Sequence, residues 1–229
     1  RQRRRLQRHA HRSGINILRF QTPAIHKRKG QIPMLVMGDM GAVLMFRRNA
    51  LWRHVARTLP PAVIGVAIGW WLMGRLRGTS FGPLIGGIVL VLAILQMIRN
   101  WRPAWFSAVP HTRGFAWSMG LLAGMTTMMA NAAGPVMGLY LLSVSLPKAE
   151  FVGTSAWFFL LINLVKLPFS VQLGVVTRES LTFNAVLCPL IVAGLFLGRI
   201  IIQRIPQKTF DTLVLMFAVV ASLKLLLVR

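Results

Sequence analysis

Cysteine is almost missing from this 229-residue chain, and negative charge is nearly so. The single cysteine, Cys188, excludes an internal disulfide and any thiolate metal cluster. It stands beside Pro189 in an apolar run and reads as a small buried hydrophobe. Four acids face 27 Lys and Arg, and of these four only Asp39 lies inside an apolar stretch. The five histidines, His9, His11, His26, His54 and His111, show no metal-ligand spacing with the carboxylates and mostly flank basic loops. H-E-x-x-H, G-x-S-x-G and C-x-x-C do not occur. Neither an enzyme nor a metal or other cofactor is therefore expected. Charge as a whole is scarce: 14% of residues carry one, against about 25% in a soluble domain.

What is abundant is apolar sequence, at 55%. Apolar segments occupy 32–46, about 58–73 (opened by Pro60 and Pro61), 81–98, 114–146, 152–173, 182–202 and 208–227. Most reach the roughly 17–25 residues that a membrane-spanning helix needs. Trp52, Trp70, Trp71, Trp101, Trp105 and Trp117 fall near segment ends, as interfacial aromatics do. The predicted fold class is all-α, a polytopic membrane protein of about seven hydrophobic segments, with the lipid bilayer as its first partner. The net charge of +23 suits nucleic acid at first sight. Its placement does not: ten of the 27 basic residues lie in residues 1–30 and most of the rest in short gaps between apolar runs. No nucleic-acid partner is expected. Residues 1–31 read as a basic arm outside the membrane.

An internal repeat follows. Shifted by 129 positions, Pro60, Gly65, Gly69, Arg75 and Phe81 fall on Pro189, Gly194, Gly198, Arg204 and Phe210. Both copies read P-x4-G-x3-G, then a basic residue, then Phe. Two related membrane halves are predicted, 32–101 and 114–229, the usual build of secondary transporters. The counterpart of 114–146 would fall at or before residue 17, where arginines stand. The expectation is a first half that is truncated or altered at its beginning. Basic residues of the loops divide 10 to 6 between the two sides if 114–146 crosses once, and 11 to 5 if a break makes it cross twice. The first arrangement makes the repeats parallel and the second inverted; the counts do not choose between them.

Within "GLLAGMTTMMANAAGPVMGLYLL", four glycines and Pro135 interrupt a greasy stretch. Two readings are open: a proline kink with glycines for packing, or a broken helix. In the second, Pro135 sits in the first turn of a new short helix, where its missing N–H costs nothing. That helix N-terminus suits an anion, with Thr126, Thr127 and Asn131 as side-chain donors and Gly134 opening the backbone. In 152–173, Asn163, Lys166 and Ser170 share one polar face. A lysine deep in such a segment costs roughly 2.5–3.5 kcal/mol on insertion scales. It either attracts an anion or serves structure by bonding backbone carbonyls. Asp39 either pairs with Lys166, carries a coupling proton, or ends a short helix near water.

These motifs, "GLLAGMTTMMANAAGPVMGLYLL", "LPKAEFVGTSAWFFLLINLVKLP" and the P-x4-G-x3-G hairpin, resemble the C-terminal half of the TauE/SafE family of sulfite and organosulfonate exporters. "PMLVMGDMGAVLMFRRNALWRHVARTLPPAVIGVAIG" resembles the later part of that family's first half. The likeness covers roughly 32–229. It implies an inner-membrane, multi-pass permease with two related halves that moves small sulfur-containing or other anions; from the two-halved build, alternating access is expected, with the site between the halves near the bilayer midplane. Asn131, Gly134 and Pro135 match the family's glycine-rich break, and Thr154, Asn163 and Lys166 its second motif. The family's first glycine-rich segment is absent, with the arginine arm in its place. The alternative reading is a non-transporting membrane scaffold or truncated partner subunit.

Overall fold

The computed structural model describes residues 31–75, 81–101, 112–172 and 178–227. Residues 1–30 of the basic arm, His111 and Trp105 lie outside them, as do the side chains of Ser170 and Trp101. Among the described residues there is no strand, and eight α-helices follow one another. They are α1 (Gln31–Phe46), α2 (Trp52–Arg75), α3 (Phe81–Trp101), α4 (Arg113–Ala130), α5 (Ala133–Ser143), α6 (Lys148–Gln172), α7 (Arg178–Arg204) and α8 (Gln207–Leu227). A 3-10 turn, Arg47–Asn49, links α1 to α2.

By length and composition four stretches are able to cross a membrane: Trp52–Leu72, Lys148–Phe169, Val186–Arg204 and Gln207–Leu227. Of the other apolar segments, 81–98 lies within the 21-residue α3, 32–46 forms α1, and 114–146 divides into α4 and α5. At 1.5 Å per residue, α1 with 16 residues reaches about 24 Å and α5 with 11 about 16 Å.

The start of α2 differs from the expected opening at Pro60 and Pro61. The helix begins at Trp52 and runs through both prolines. Its entry is set from outside the local sequence: the Leu51 amide donates to the Thr154 hydroxyl at 3.0 Å, across to α6. Each proline forfeits one i→i−4 bond, but burial of Val55, Ala62 and Val66 holds the helix on both sides of them.

Glycine decides how α2 and α4 meet. A Cβ on Gly120 would overlap the Thr58 carbonyl oxygen, one on Gly124 the Ala62 carbonyl oxygen, and one on Gly65 the Leu121 carbonyl oxygen. The two backbones therefore touch along a seam, as small residues permit between membrane helices. Positions rise together along it (58 with 120, 62 with 124, 69 with 128), so α2 and α4 run parallel. Asp39 meets Asn163, and Phe46 meets Gly153, so α1 runs antiparallel to α6.

The end of the bundle where α2 and α4 start is here called the first end. α6 and α8 also start there. The Lys148 amide donates to Gln207 Oε1 at 2.8 Å, Gln207 Nε2 donates to the Leu146 carbonyl at 3.3 Å, and Lys148 Nζ reaches the carbonyls of Gln203 and Ile205. These bonds pin the α5–α6 connection to the α7–α8 turn. α7 thus ends where α2 begins, and the two run in opposite senses.

α7 is the outlier. None of its stretch from Val186 to Arg204 is buried, against 39% of the matching stretch of α2. Cys188, expected to be buried, is half-buried on this helix, which its described neighbours leave largely open.

Candidate functional site

Asn131 ends α4. Its φ of 53° and ψ of 38° place it in the left-handed region, which asparagine tolerates better than most residues. Its amide donates to the Thr127 carbonyl at 3.0 Å, and the Ala132 amide donates to the Thr126 carbonyl at 3.2 Å. The Asn131–Thr127 bond is the 5→1 closure of an αL cap, with asparagine in the position that glycine usually takes. α5 starts two residues later, with Pro135 third in its first turn, where no amide is needed. The stretch 114–146 is therefore broken, not merely kinked. α5 returns toward the first end: the Tyr140 hydroxyl lies 2.9 Å from His54 Nδ1, and its ring packs 5.9 Å from Phe115 near the start of α4. α4 and α5 form a re-entrant hairpin, and both ends of 114–146 lie at the first end.

Lys166 reaches the tip of this hairpin from α6. Its ammonium donates to Asn131 Oδ1 at 2.9 Å, Thr127 Oγ1 at 3.0 Å and Asn163 Oδ1 at 3.2 Å. Three oxygens are enough to engage the three N–H donors of an ammonium. Asn163 in turn donates from Nδ2 to Asp39 Oδ2 at 2.7 Å. One asparagine thus bridges the acid of α1 and the base of α6, each amide end matched to its partner. Lys166 is 2% exposed. An uncompensated ammonium at such burial is expensive; here hydrogen bonds, the nearby carboxylate and the negative end of the α4 dipole offset the cost.

Depth in the helix is not what buries it. α6 extends to Gln172, so Lys166 lies about 9 Å from its end, and neighbouring helices supply the cover. The hairpin tip has the same address. The register of α2 against α4 puts Asn131 about level with Leu72, at the end of the apolar span Trp52–Leu72. α4, with 18 residues, runs beside that span for most of its length before it breaks.

The other sequence-chosen residues divide. Asn131 and Gly134 are exposed at the tip, and a Cβ on Gly134 would meet open space. Pro135 is half-buried beside them. Thr126 is buried and its hydroxyl donates to the Ala123 carbonyl at 3.1 Å, within its own helix. Thr154 is elsewhere. It stands twelve residues, about 18 Å, from Lys166 along α6, where it holds Leu51. Among the described residues no group of three His, Cys, Asp or Glu stands close enough to hold a metal.

The family model described as sulfite exporter TauE/SafE matches residues 30–225. The chain belongs to this family. No curated protein and no solved structure matches it. TauE/SafE proteins are membrane transporters rather than enzymes, and the four membrane-capable helices agree with a membrane protein.

Sequence reading passed over one polar group. His54, expected in a basic loop, is 5% exposed and bonded to Tyr140, the one tyrosine of the chain. The rarity of tyrosine in so apolar a chain is the one sequence signal that could have led there.

Proposed function

We propose that the protein is a multi-pass inner-membrane permease exporting small sulfur oxyanions, sulfite or sulfonates, with its substrate site at the tip of the α4–α5 hairpin. The observation that carries this reading is the buried Lys166 ammonium bonded to the residue that breaks the helix. It sets a full positive charge beside the first turn of α5, whose amides have no intrahelical acceptors. Lys166 also fixes the Asn131 side chain. With Oδ1 toward the ammonium, the Nδ2 donors face away from it. An anion at Gly134 then meets the amides of Ala133, Gly134 and Val136, the Asn131 amide group, and the Lys166 charge one layer behind. Thr127 and Asn163 hold that charge in place. Thr126 and Thr154, bonded within the fold, drop out of the proposed site.

Asp39 is the group suited to couple a proton. As a carboxylate it offsets the Lys166 charge through Asn163; protonation removes that offset and favours the anion. The opposite senses of α2 and α7, which share the P-x4-G-x3-G marks, support two inverted halves (32–101 and 114–229) and hence alternating access. The test is counterflow in proteoliposomes. Internal sulfite or a small sulfonate should accelerate entry of labelled sulfite, choline should not, and Asp39→Asn should flatten the pH dependence. Stimulation by choline, or none by any sulfur oxyanion, removes the assignment.

A further inference from the structure

A cavity of about 190 Å³ opens at the first end, lined by Arg53, His54, Arg57, Thr112, Phe115 and Tyr140 among others. It is remote from the hairpin tip: Tyr140 lies six residues, about 9 Å, along α5 from Gly134. Among its described lining residues there is no carboxylate. Two guanidiniums border it, and α2 and α4 both begin there, so two positive helix ends add to the field.

The hydrogen bonds around the cavity assign the remaining donors. Arg53 Nε donates to His54 Nε2 at 3.2 Å. That nitrogen is therefore the acceptor of a neutral imidazole, and Nδ1 carries the proton. Nδ1 then donates to the Tyr140 oxygen at 2.9 Å. The Tyr140 hydroxyl hydrogen is left to point away from His54. Thr112 Oγ1 accepts from the Phe115 amide at 3.3 Å, which likewise leaves its hydrogen to be donated. The cavity is thus bordered by cations and donors. Its volume falls below the roughly 300–1,000 Å³ of drug-sized pockets and equals about six waters at 30 Å³ each. An anion of a few heavy atoms fits, with water.

We propose that this cavity is a second oxyanion site, taking a sulfate- or phosphate-type group between Arg53, Arg57 and the Tyr140 hydroxyl. It does not rest on the transport reading. The group comes either from a free anion or from the phosphate of a lipid headgroup, since both present the same oxygens to the same donors.

The test is equilibrium binding of radiolabelled sulfate to the purified full chain. Arg53→Gln combined with Arg57→Gln, at exposed and half-buried positions, should weaken binding about 30-fold or more, as loss of two charge-assisted contacts implies. Tyr140→Phe keeps the ring and should cost about 3- to 10-fold, the value of one hydrogen bond. Lys166→Met removes the charge at the hairpin tip and should leave this binding in place. Displacement by a short-chain phosphatidylglycerol identifies a headgroup phosphate as the occupant; sulfate that resists displacement identifies a free anion. The proposal is overturned if the double variant binds sulfate as the wild type does, or if the wild type binds neither sulfate nor the lipid.

Discussion

Gly65 and Gly69 on α2 lie against the backbone of α4, whereas Gly194 and Gly198, at the same spacing on α7, have open space where a Cβ would stand. Both pairs follow a proline at the same interval and sit in apolar helices. Glycine spacing therefore permits close contact without creating it. The partner creates it, and α4 is a partner because it brings Gly120 and Gly124 to the same seam. That seam sets where α4 ends, and so where Asn131 meets Lys166.

The largest effect should come from Gly124→Leu. The new side chain would be driven into the Ala62 carbonyl, and backbone on both sides leaves nothing to yield. Overpacking usually costs about 1–3 kcal/mol, and this site belongs at or above the top of that range. Thermal unfolding in detergent should show it as loss of the folded, monodisperse protein. Next comes Asn131→Leu, at the end of the seam. A leucine in the left-handed region costs roughly 1–2 kcal/mol, and the oxygen facing Lys166 is lost as well. Asn131→Gly should recover the fold but not the oxygen, separating the two contributions. Thr154→Val removes the acceptor for the Leu51 amide at the start of α2, and should cost about 1 kcal/mol with little change in sulfite flux. The smallest effect is expected at Gly194→Leu, within about 0.5 kcal/mol of wild type as at other open surface positions. Equal destabilisation by Gly194→Leu and Gly124→Leu would break the comparison between the two helices.

How far the sequence could be read follows the range of the interactions involved. The helix break was legible in Asn131, Gly134 and Pro135 because left-handed tolerance and a missing amide are properties of single residues. Asn163 and Lys166 were legible as one face because three residues on a helix nearly complete a turn. That Asn163 joins Lys166 to Asp39 was not legible, since Asp39 lies 124 positions away. The start of α2 was misread for the same reason: Pro60 and Pro61 signal locally, while Thr154 acts from 103 positions away. The level at which α4 breaks against α2 was not legible either, because the length of an apolar run does not reveal it. The match of His54 with Tyr140, 86 positions apart, had no local sign beyond rarity.

The central claim is that a positive charge buried at the tip of the α4–α5 hairpin recruits the transported anion. It is tested most directly by labelled-sulfite flux through proteoliposomes carrying wild type, Lys166→Arg or Lys166→Met, each verified as folded by its elution and melting profile. Flux at background is expected for Lys166→Met and partial flux for Lys166→Arg, which keeps the charge but not the three-pronged geometry. Wild-type flux through a folded Lys166→Met protein would contradict it.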